Sequence, residues 1–311
     1  MAELIKFSKI TLQDLTVIQK IALENGGSKT INESNFNHWY LENPTASNSI
    51  LKVEVDNTIE GYATTNNFVY TLDNKNYLVA LPQNVLTTEK CRGKGLFGKL
   101  YYLTEKENIE TNHVDFFLTS TNSMSTPIFL SKFGYLRGFC PPILIKLFSP
   151  FSLFSKVNYK PVDDLTSIKI NHFNLNNSRK KNMNYFQWRY SQTNKKNLTV
   201  ISVIDNNQTI GYAFLIAQIK KGFRVLMLAD IICSNEKFYS KIIKACHTYS
   251  SKNFYVGFLM FELQNENINH GSNIKLKNKF NFLVKGKCDD ETKKLSQIKF
   301  NYFFGDLDYF W

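Results

Sequence analysis

The chain has 311 residues, enough for two cores of ordinary domain size. Its 43% hydrophobic and 21% charged residues exclude a disordered or fibrous chain. A net charge of +12 calls for anionic partners without choosing among nucleic acid, phosphorylated metabolites and acidic membranes. Five cysteines, scattered and never in CxxC spacing, imply neither a zinc site nor a disulfide framework, so no metal is expected and a reducing cytoplasm fits.

Met1-Ala2-Glu3-Leu4 lacks a basic flank leading into a long apolar stretch, so no secretory signal is expected. Leu4 to Ile10 reads as a strand. Thr11 and Asp14 form a variant capping box, after which Leu12, Leu15, Ile18 and Ile21 recur at helical spacing until Asn25-Gly26-Gly27. A short helix carries His38 and Trp39 and ends before Pro44. Strands are predicted at Ile50 to Asp56, Glu60 to Leu72 and Tyr77 to Thr87, with turns at Asp56-Asn57 and Asp73-Asn74. A glycine loop then opens a helix from Leu96 to Ile109. Val114 to Ser120 is a strand, Thr126 to Lys132 a helix, and Tyr135 to Leu147 largely extended. The apolar stretch from Phe139 to Phe154 is broken by Lys146, Pro141, Pro142 and Pro150, and predicts no membrane span. Attachment to a membrane surface is the weaker alternative there.

The second half echoes the first. Asn35-Phe36-Asn37-His38-Trp39-Tyr40 stands 22 residues (counted from Trp39) before Gly61, and Asn184-Tyr185-Phe186-Gln187-Trp188-Arg189-Tyr190 stands 23 (from Trp188) before Gly211. Each is followed by a strand, Ile50 to Val55 or Leu198 to Ile204, and later by Lys132-Phe133-Gly134-Tyr135 or Lys279-Phe280-Asn281-Phe282. The shared order indicates a duplicated unit. The expected fold is therefore α/β (α+β): two tandem domains, 1–150 and 151–311, each a mixed, largely antiparallel sheet flanked by helices, with Trp39 and Trp188 in corresponding places.

Gly93-Lys94-Gly95-Leu96-Phe97-Gly98 is literally GxGxxG, but it follows a strand meander and has no acidic residue closing the next strand, against the dinucleotide reading. A better fit is a pyrophosphate received at a helix N-terminus, where glycines let the backbone approach and unpaired N–H groups meet the anion. Arg92 and Lys94 add positive charge. A glycine-rich turn with two solvated bases is the ordinary alternative.

The stretch Val85-Leu86-Thr87-Thr88-Glu89-Lys90-Cys91-Arg92-Gly93-Lys94-Gly95-Leu96-Phe97 resembles the coenzyme A-binding motif of the GCN5-related N-acetyltransferase superfamily, Gln/Arg-x-x-Gly-x-Gly/Ala, with Lys90 at its first position. Asn122 and Phe133-Gly134-Tyr135 resemble the second motif. The resemblance covers residues 1–147, while in the second half Ser234-Asn235-Glu236-Lys237 stands where the glycines would be. It implies acyl-coenzyme A as cosubstrate, held by Val85, Leu86, Thr87, Arg92, Gly93, Lys94, Gly95, Leu96, Phe97, Gly98 and Asn122. It also implies direct attack by the acceptor amine, with a backbone N–H near Leu86 or Thr87 stabilising the oxyanion. Where many members carry an acidic Tyr, this chain has Phe129 or Leu130, and neither donates a proton.

For a general base the sequence offers His38, Glu89, Asp306 and Asp308, each of which also has an ordinary structural reading as a helix cap, surface acid or turn former. The tandem halves and the Gly-Asp-x-Asp-like C-terminus resemble bacterial N-acyltransferases of surface-polysaccharide (capsule, lipopolysaccharide) pathways. By that resemblance the acceptor is a nucleotide-linked amino sugar, bound where the halves meet by Trp39, Gln83, Asn84, Tyr185, Trp188 and Arg189. No nucleic acid partner is expected. A peptide or protein N-acyltransferase, a tRNA-dependent peptidyl transferase and a non-enzymatic acyl-coenzyme A sensor are the alternatives.

Overall fold

The computed structural model describes residues 3–25, 32–45, 47–155, 157–168, 172–191, 197–271, 273–278 and 280–307. The Gly26-Gly27 stop, Lys279 and Asp308 lie outside the described residues. In chain order the elements begin with β1 (Ile5–Lys9), α1 (Leu15–Glu24), α2 (Glu33–Phe36), β2 (Ser49–Val55), β3 (Thr58–Leu72), β4 (Lys75–Thr87), α3 (Leu96–Glu110), β5 (Phe116–Thr121), α4 (Ser125–Lys132) and β6 (Leu136–Arg137). There follow β7 (Ile143–Leu147), β8 (Asn158–Pro161), β9 (Ser178–Arg179), α5 (Met183–Ser191), β10 (Leu198–Asp205), β11 (Gln208–Lys220), β12 (Phe223–Cys233), α6 (Tyr239–Lys252), β13 (Gly257–Phe261), β14 (Ile274–Leu276), β15 (Asn281–Lys285) and α7 (Asp289–Gln297).

Local chemistry accounts for most of these boundaries. Asp14 Oδ2 accepts from the Thr11 N–H at 2.7 Å and from its hydroxyl at 2.9 Å, the reciprocal cap expected from the sequence. Asp56-Asn57, Asp73-Asn74, Asn206-Asn207 and Lys221-Gly222 all have positive φ at both residues. They make two-residue hairpin turns whose twist matches that of the strands they join.

The chain forms two compact units. One comprises residues up to 70, 75–138 and 281–298; the other comprises 71–74, 139–280 and those from 299 onward. A single division near residue 150 was expected, but residues 139–150 belong to the second unit and 281–298 to the first. The first sheet has the order β1-β2-β3-β4-β5-β15-β6 and the second β14-β7-β13-β12-β11-β10-β8. Each sheet is thus completed by a strand from the other half of the sequence: β15 pairs antiparallel with β5, and β7 with β13. The physical reason lies at Pro141-Pro142, where two consecutive residues without N–H groups interrupt the extended stretch. The stretch stops pairing in one sheet at β6 and resumes in the other at β7.

In the first unit, Ile59 and Tyr62 face a core with Leu15, Ile18, Phe36 and Tyr40 from the α1–α2 side. Val53 and Ala63 face Leu96 and Leu100 of α3. Farther along, Ala80, Phe117 and Leu283 pack with Tyr101 of α3 and Phe129 of α4. In the second unit, Tyr239, Ile242, Ile243 and Cys246 of α6 bury the sheet face formed by Ile201, Val203, Ala213 and Leu215. Full burial of an aliphatic side chain contributes about 1.5–3 kcal/mol.

The duplication is visible in matching irregularities. Val53 pairs with Gly61 and Val203 with Gly211, and in both ladders the register shifts at the next residue. A Cβ on Gly61 would stand 2.8 Å from the Leu86 carbonyl, and one on Gly211 2.5 Å from that of Ile232. Both glycines let the end of the long neighbouring strand approach closely.

Candidate active site

β4 ends at Thr87, where the chain must leave the sheet. Thr88 donates its N–H to the Glu60 carbonyl at 2.9 Å and its hydroxyl to the Glu60 carboxylate, fixing the first residue of the loop. A 3-10 turn, Glu89–Cys91, follows. Cys91 is buried with Val53, Ala63, Leu96 and Leu100, and burial pushes its thiol pKa up. It anchors the loop from below as a protonated thiol.

Gly93 and Gly95 have φ of 77° and 71°, conformations that L side chains rarely adopt, and Gly95 is the N-cap of α3. A Cβ on Gly93, Gly95 or Gly98 would meet nothing within 4 Å. Gly98 differs from the other two in having an ordinary helical backbone. Neither conformation nor crowding therefore requires glycine there, and its missing side chain leaves open space over the first turn of α3. The N–H groups of that turn have no carbonyl partner inside the helix. Arg92 and Lys94 are exposed beside them, Arg92 paired with Glu89 at 2.7 Å and Lys94 with Glu3 at 2.5 Å. The Glu3 contact raises the Lys94 pKa. Both cations are within reach of an anion that displaces a solvent-exposed carboxylate.

The strand leading to the loop is freed on one side. β4 and β5 run parallel, with Val79 opposite Phe116 and Ala80 opposite Phe117. The ladder then stops although both strands continue, and a side-chain bond from Thr119 Oγ1 to the Pro82 carbonyl, 3.1 Å, is the last tie. Val85, Leu86 and Thr87 lie beyond this parting and are half-buried. Asn122 follows β5, exposed, with Oδ1 accepting from the N–H groups of Met124 at 3.0 Å and Ser125 at 2.9 Å. It holds the start of α4.

On the α1–α2 side of β4 sits a polar cluster. Asn84 has φ of 45° and donates from Nδ2 to Tyr40 Oη at 2.9 Å. Tyr40 Oη also lies 2.9 Å from Thr64 Oγ1, which donates to the Gln83 carbonyl at 2.7 Å. Asn66 Nδ2 donates to Gln83 Oε1 at 2.8 Å. Tyr40 comes from a π-helical turn, Asn37–Leu41. Trp39, expected in this role, is half-buried and packs, like Ile50 and Leu86, against the core of Leu15, Ile18, Phe36 and Tyr40. The sequence reading missed Tyr40, Thr64 and Asn66. Its one available signal was the polar run Thr64-Thr65-Asn66-Asn67 in a strand otherwise suited to burial. His38 is buried in the same turn, with Nδ1 3.6 Å from Glu42 Oε2.

Four other expected site residues are interior side chains of the second unit, which corrects their assignment. Tyr185, Trp188, Arg189 and Asp306 are all buried, Arg189 with 1% of its surface exposed. Arg189 Nη2 donates to the Leu307 carbonyl at 3.0 Å, and Arg179 Nη2 to that of Asp306 at 3.1 Å. The Lys181 ammonium bridges the Asp230 and Asp306 carboxylates, the latter at 2.9 Å. Burial opposes ionisation of Asp306, but Lys181 and Arg179 outweigh it and hold the carboxyl below its ordinary range. A carboxylate so held, with no exposed face, is unsuited to take a proton from an acceptor amine. Of the groups read from sequence as a binding surface, Arg189 is here the partner of a buried backbone carbonyl, Asp306 that of Lys181, and Tyr185 packs on Trp188.

Asp230 Oδ2 accepts from Tyr190 Oη at 2.8 Å, and Tyr190 stacks on Phe214 at 4.3 Å. This repeats the contact of Tyr40 with Asn84 and Thr64. Tyr40 and Tyr190 each precede their glycine by 21 residues, and Phe36 and Phe186 by 25. The tyrosines therefore set the register of the repeat, and the tryptophans are offset from each other by one position. β12 and β13 also part, after Met227 opposite Leu259. Beyond that point Phe304 packs on Phe261 at 4.4 Å, and a Cβ on Gly305 would stand 2.6 Å from the Ala229 carbonyl. In the second unit, then, the gap between the parting strands is filled by the chain's own segment.

No family model and no curated protein sequence matches the chain. Solved structures do. A protein of Enterococcus faecalis V583 described as a probable N-acyltransferase aligns with a TM-score of 0.65 at 10% identity, over 94% of this chain and 74% of its own. A GCN5-related N-acetyltransferase from Anabaena variabilis aligns with 0.65 at 12% identity, over 90% and 72%. One from Kribbella flavida aligns with 0.64 at 10% identity, over 95% and 74%. The fold is that of GCN5-related N-acetyltransferases.

Proposed function

We propose that the first unit binds acyl-coenzyme A and that the protein is an N-acyltransferase acting on a nucleotide-linked amino sugar. The observation that carries the coenzyme assignment is Gly98. It stands where nothing among the described residues excludes a side chain, in the first turn of a helix whose start is flanked by Arg92 and Lys94. A diphosphate accounts for the open space, and each charge-assisted hydrogen bond contributes about 1.5–3 kcal/mol. The Val85–Thr87 stretch, released from β5, has backbone and half-buried side chains available to an extended thiol-bearing arm. Leu96, Phe97 and Asn122 border the same region. Acyl-coenzyme A, when bound, supplies a thioester that an amine can attack.

The acceptor reading is supported by the chemistry beside β4. Gln83 and Asn84 are half-buried amides that suit the hydroxyls of a sugar, and the buried Tyr40, Thr64 and Asn66 hold them in place. Of the sequence's candidates for general base, Glu89 is paired with Arg92, Asp306 is held by Lys181, Asp308 lies outside the described residues, and His38 stands on the α1–α2 side. On this reading the second unit binds no coenzyme A, because its glycines are replaced by Ser234-Asn235-Glu236-Lys237 and its strand gap is filled. Thiol release from acetyl-coenzyme A and longer acyl donors, measured against nucleotide amino sugars, peptides and tRNA, tests the assignment. Turnover with the sugars is expected. Acylation of peptides alone would overturn the acceptor, and failure of coenzyme A to bind would overturn the whole reading.

A further inference from the structure

Three separated segments of the second unit meet at one end of its sheet, the end opposite the filled gap. The Phe148 N–H donates to the Val256 carbonyl at 3.0 Å, and the Val256 N–H to that of Arg224 at 2.9 Å. Phe148 and Phe254 stack at 6.4 Å. Lys220 pairs with Phe223 across the Lys221-Gly222 turn. Around this end the large apolar side chains point to solvent: Phe151 is 84% exposed, Phe154 83%, Phe254 72%, Ile219 72% and Phe223 59%. Single exposed apolar residues are normal, but five on the segments that lead to and from this end mark an interaction surface.

The charge around that group is mostly positive. Lys220, Lys221, Arg224 and Lys252 are exposed beside the rings, and residues 139–162, 206–229 and 237–261 contain no Asp or Glu, the exposed Asp163 and Asp164 following just past β8. A second copy of the chain meeting this face about a two-fold axis would set most of these cations against their own counterparts. Anionic phosphates over an apolar layer answer both features. Among the described residues no helix is long and apolar enough to cross a membrane, so the contact is with a surface.

We infer that this end of the second unit docks on an anionic lipid bilayer. Phe151 and Phe154 enter the headgroup–acyl boundary, while Lys220, Lys221, Arg224 and Lys252 face the lipid phosphates. Aromatic rings favour that boundary, and attraction of the bases to anionic lipid adds to the apolar burial.

The test is co-sedimentation of the full chain with vesicles of phosphatidylglycerol and phosphatidylcholine, and with vesicles of phosphatidylcholine alone, at low and high salt. Binding to the anionic vesicles should exceed binding to the neutral ones by roughly tenfold and weaken as salt screens the charges. The double variant Phe151→Ser, Phe154→Ser should bind at least roughly tenfold less, and Lys220→Glu with Lys221→Glu should abolish the preference for anionic lipid. These residues are exposed, so thermal unfolding and coenzyme A affinity should match the parent protein. No binding to anionic vesicles, equal binding to both compositions, or unchanged binding of the phenylalanine variant overturns the inference. A dimer that the same variant dissociates, with no vesicle binding, would assign the face to a second copy instead.

Discussion

Substitution of Gly98 separates the coenzyme site from the stability of the fold, because the two should respond with opposite signs. Gly95→Ala cannot do this, since a side chain at φ of 71° costs roughly 1–2 kcal/mol of backbone strain and confounds folding with binding. At Gly98 the backbone is helical and a Cβ meets nothing within 4 Å. Gly98→Ala should therefore stabilise α3 by about 0.5–1 kcal/mol, raising the unfolding midpoint by about 1–4 °C. Gly98→Leu fills more of the space over the helix start. It should lower coenzyme A affinity at least about tenfold, equivalent to about 1.4 kcal/mol, without lowering stability. Differential scanning calorimetry without ligand and isothermal titration with coenzyme A measure the two effects independently. Unchanged affinity in Gly98→Leu would refute the claim that the open space exists for the diphosphate. A loss of stability in Gly98→Ala would refute the claim that the fold does not need glycine there.

Gly305→Ala places a Cβ 2.5 Å from Tyr190 Oη and 2.6 Å from the Ala229 carbonyl, and denaturant unfolding should show a loss of about 1–3 kcal/mol. Lys181→Met leaves the buried Asp230 and Asp306 carboxylates without their shared ammonium and should cost about 3–5 kcal/mol, partly restored by adding Asp230→Asn. Burial, reinforced by the Lys181 charge, lowers the pKa of His172 from its ordinary 6.5 to about 3. The unfolded chain therefore takes up that proton first. The contribution of neutral His172 is complete above pH 6.5 and is lost at about 1.4 kcal/mol per pH unit as pH falls toward 3. Over this range the parent's slope of stability against pH should exceed that of His172→Gln by about this amount, as denaturation at a series of pH values would show. Tyr40→Phe removes the hydroxyl shared by Thr64 and Asn84, and steady-state kinetics should show the acceptor KM raised about five- to tenfold with coenzyme A affinity unchanged.

Much of this architecture was legible from the chain alone, because its signals are local. Thr11 and Asp14 cap a helix through contacts within four residues, and Asp56-Asn57 and Asp73-Asn74 can turn with positive φ wherever they occur. The spacing of Gly93 and Gly95 before an amphipathic run announces a helix start with an open backbone. The duplication was legible for the same reason, since Gly61 and Gly211 each recur after a helix and a strand at nearly fixed distance. The tryptophans misled the alignment by one residue. Side-chain size drew attention to Trp39 and Trp188, whereas the hydroxyl contacts that set the register belong to Tyr40 and Tyr190.

What no local pattern contains is the choice of partner across long stretches of chain. The extended segments at β7 and β15 have free ladder groups on both sides, and nothing in their residues says which sheet they complete. Only the packed structure, with Pro141-Pro142 between β6 and β7, decides it. The same holds for Arg189 and Asp306. A charged side chain reads as a surface group until the fold brings a carbonyl such as that of Leu307, or a cation such as Lys181, to the one place where burying it is tolerable. Gly98 shows the converse. Its identity is written in the sequence, but that nothing among the described residues requires a glycine there is known only once the space around α3 is seen to be open.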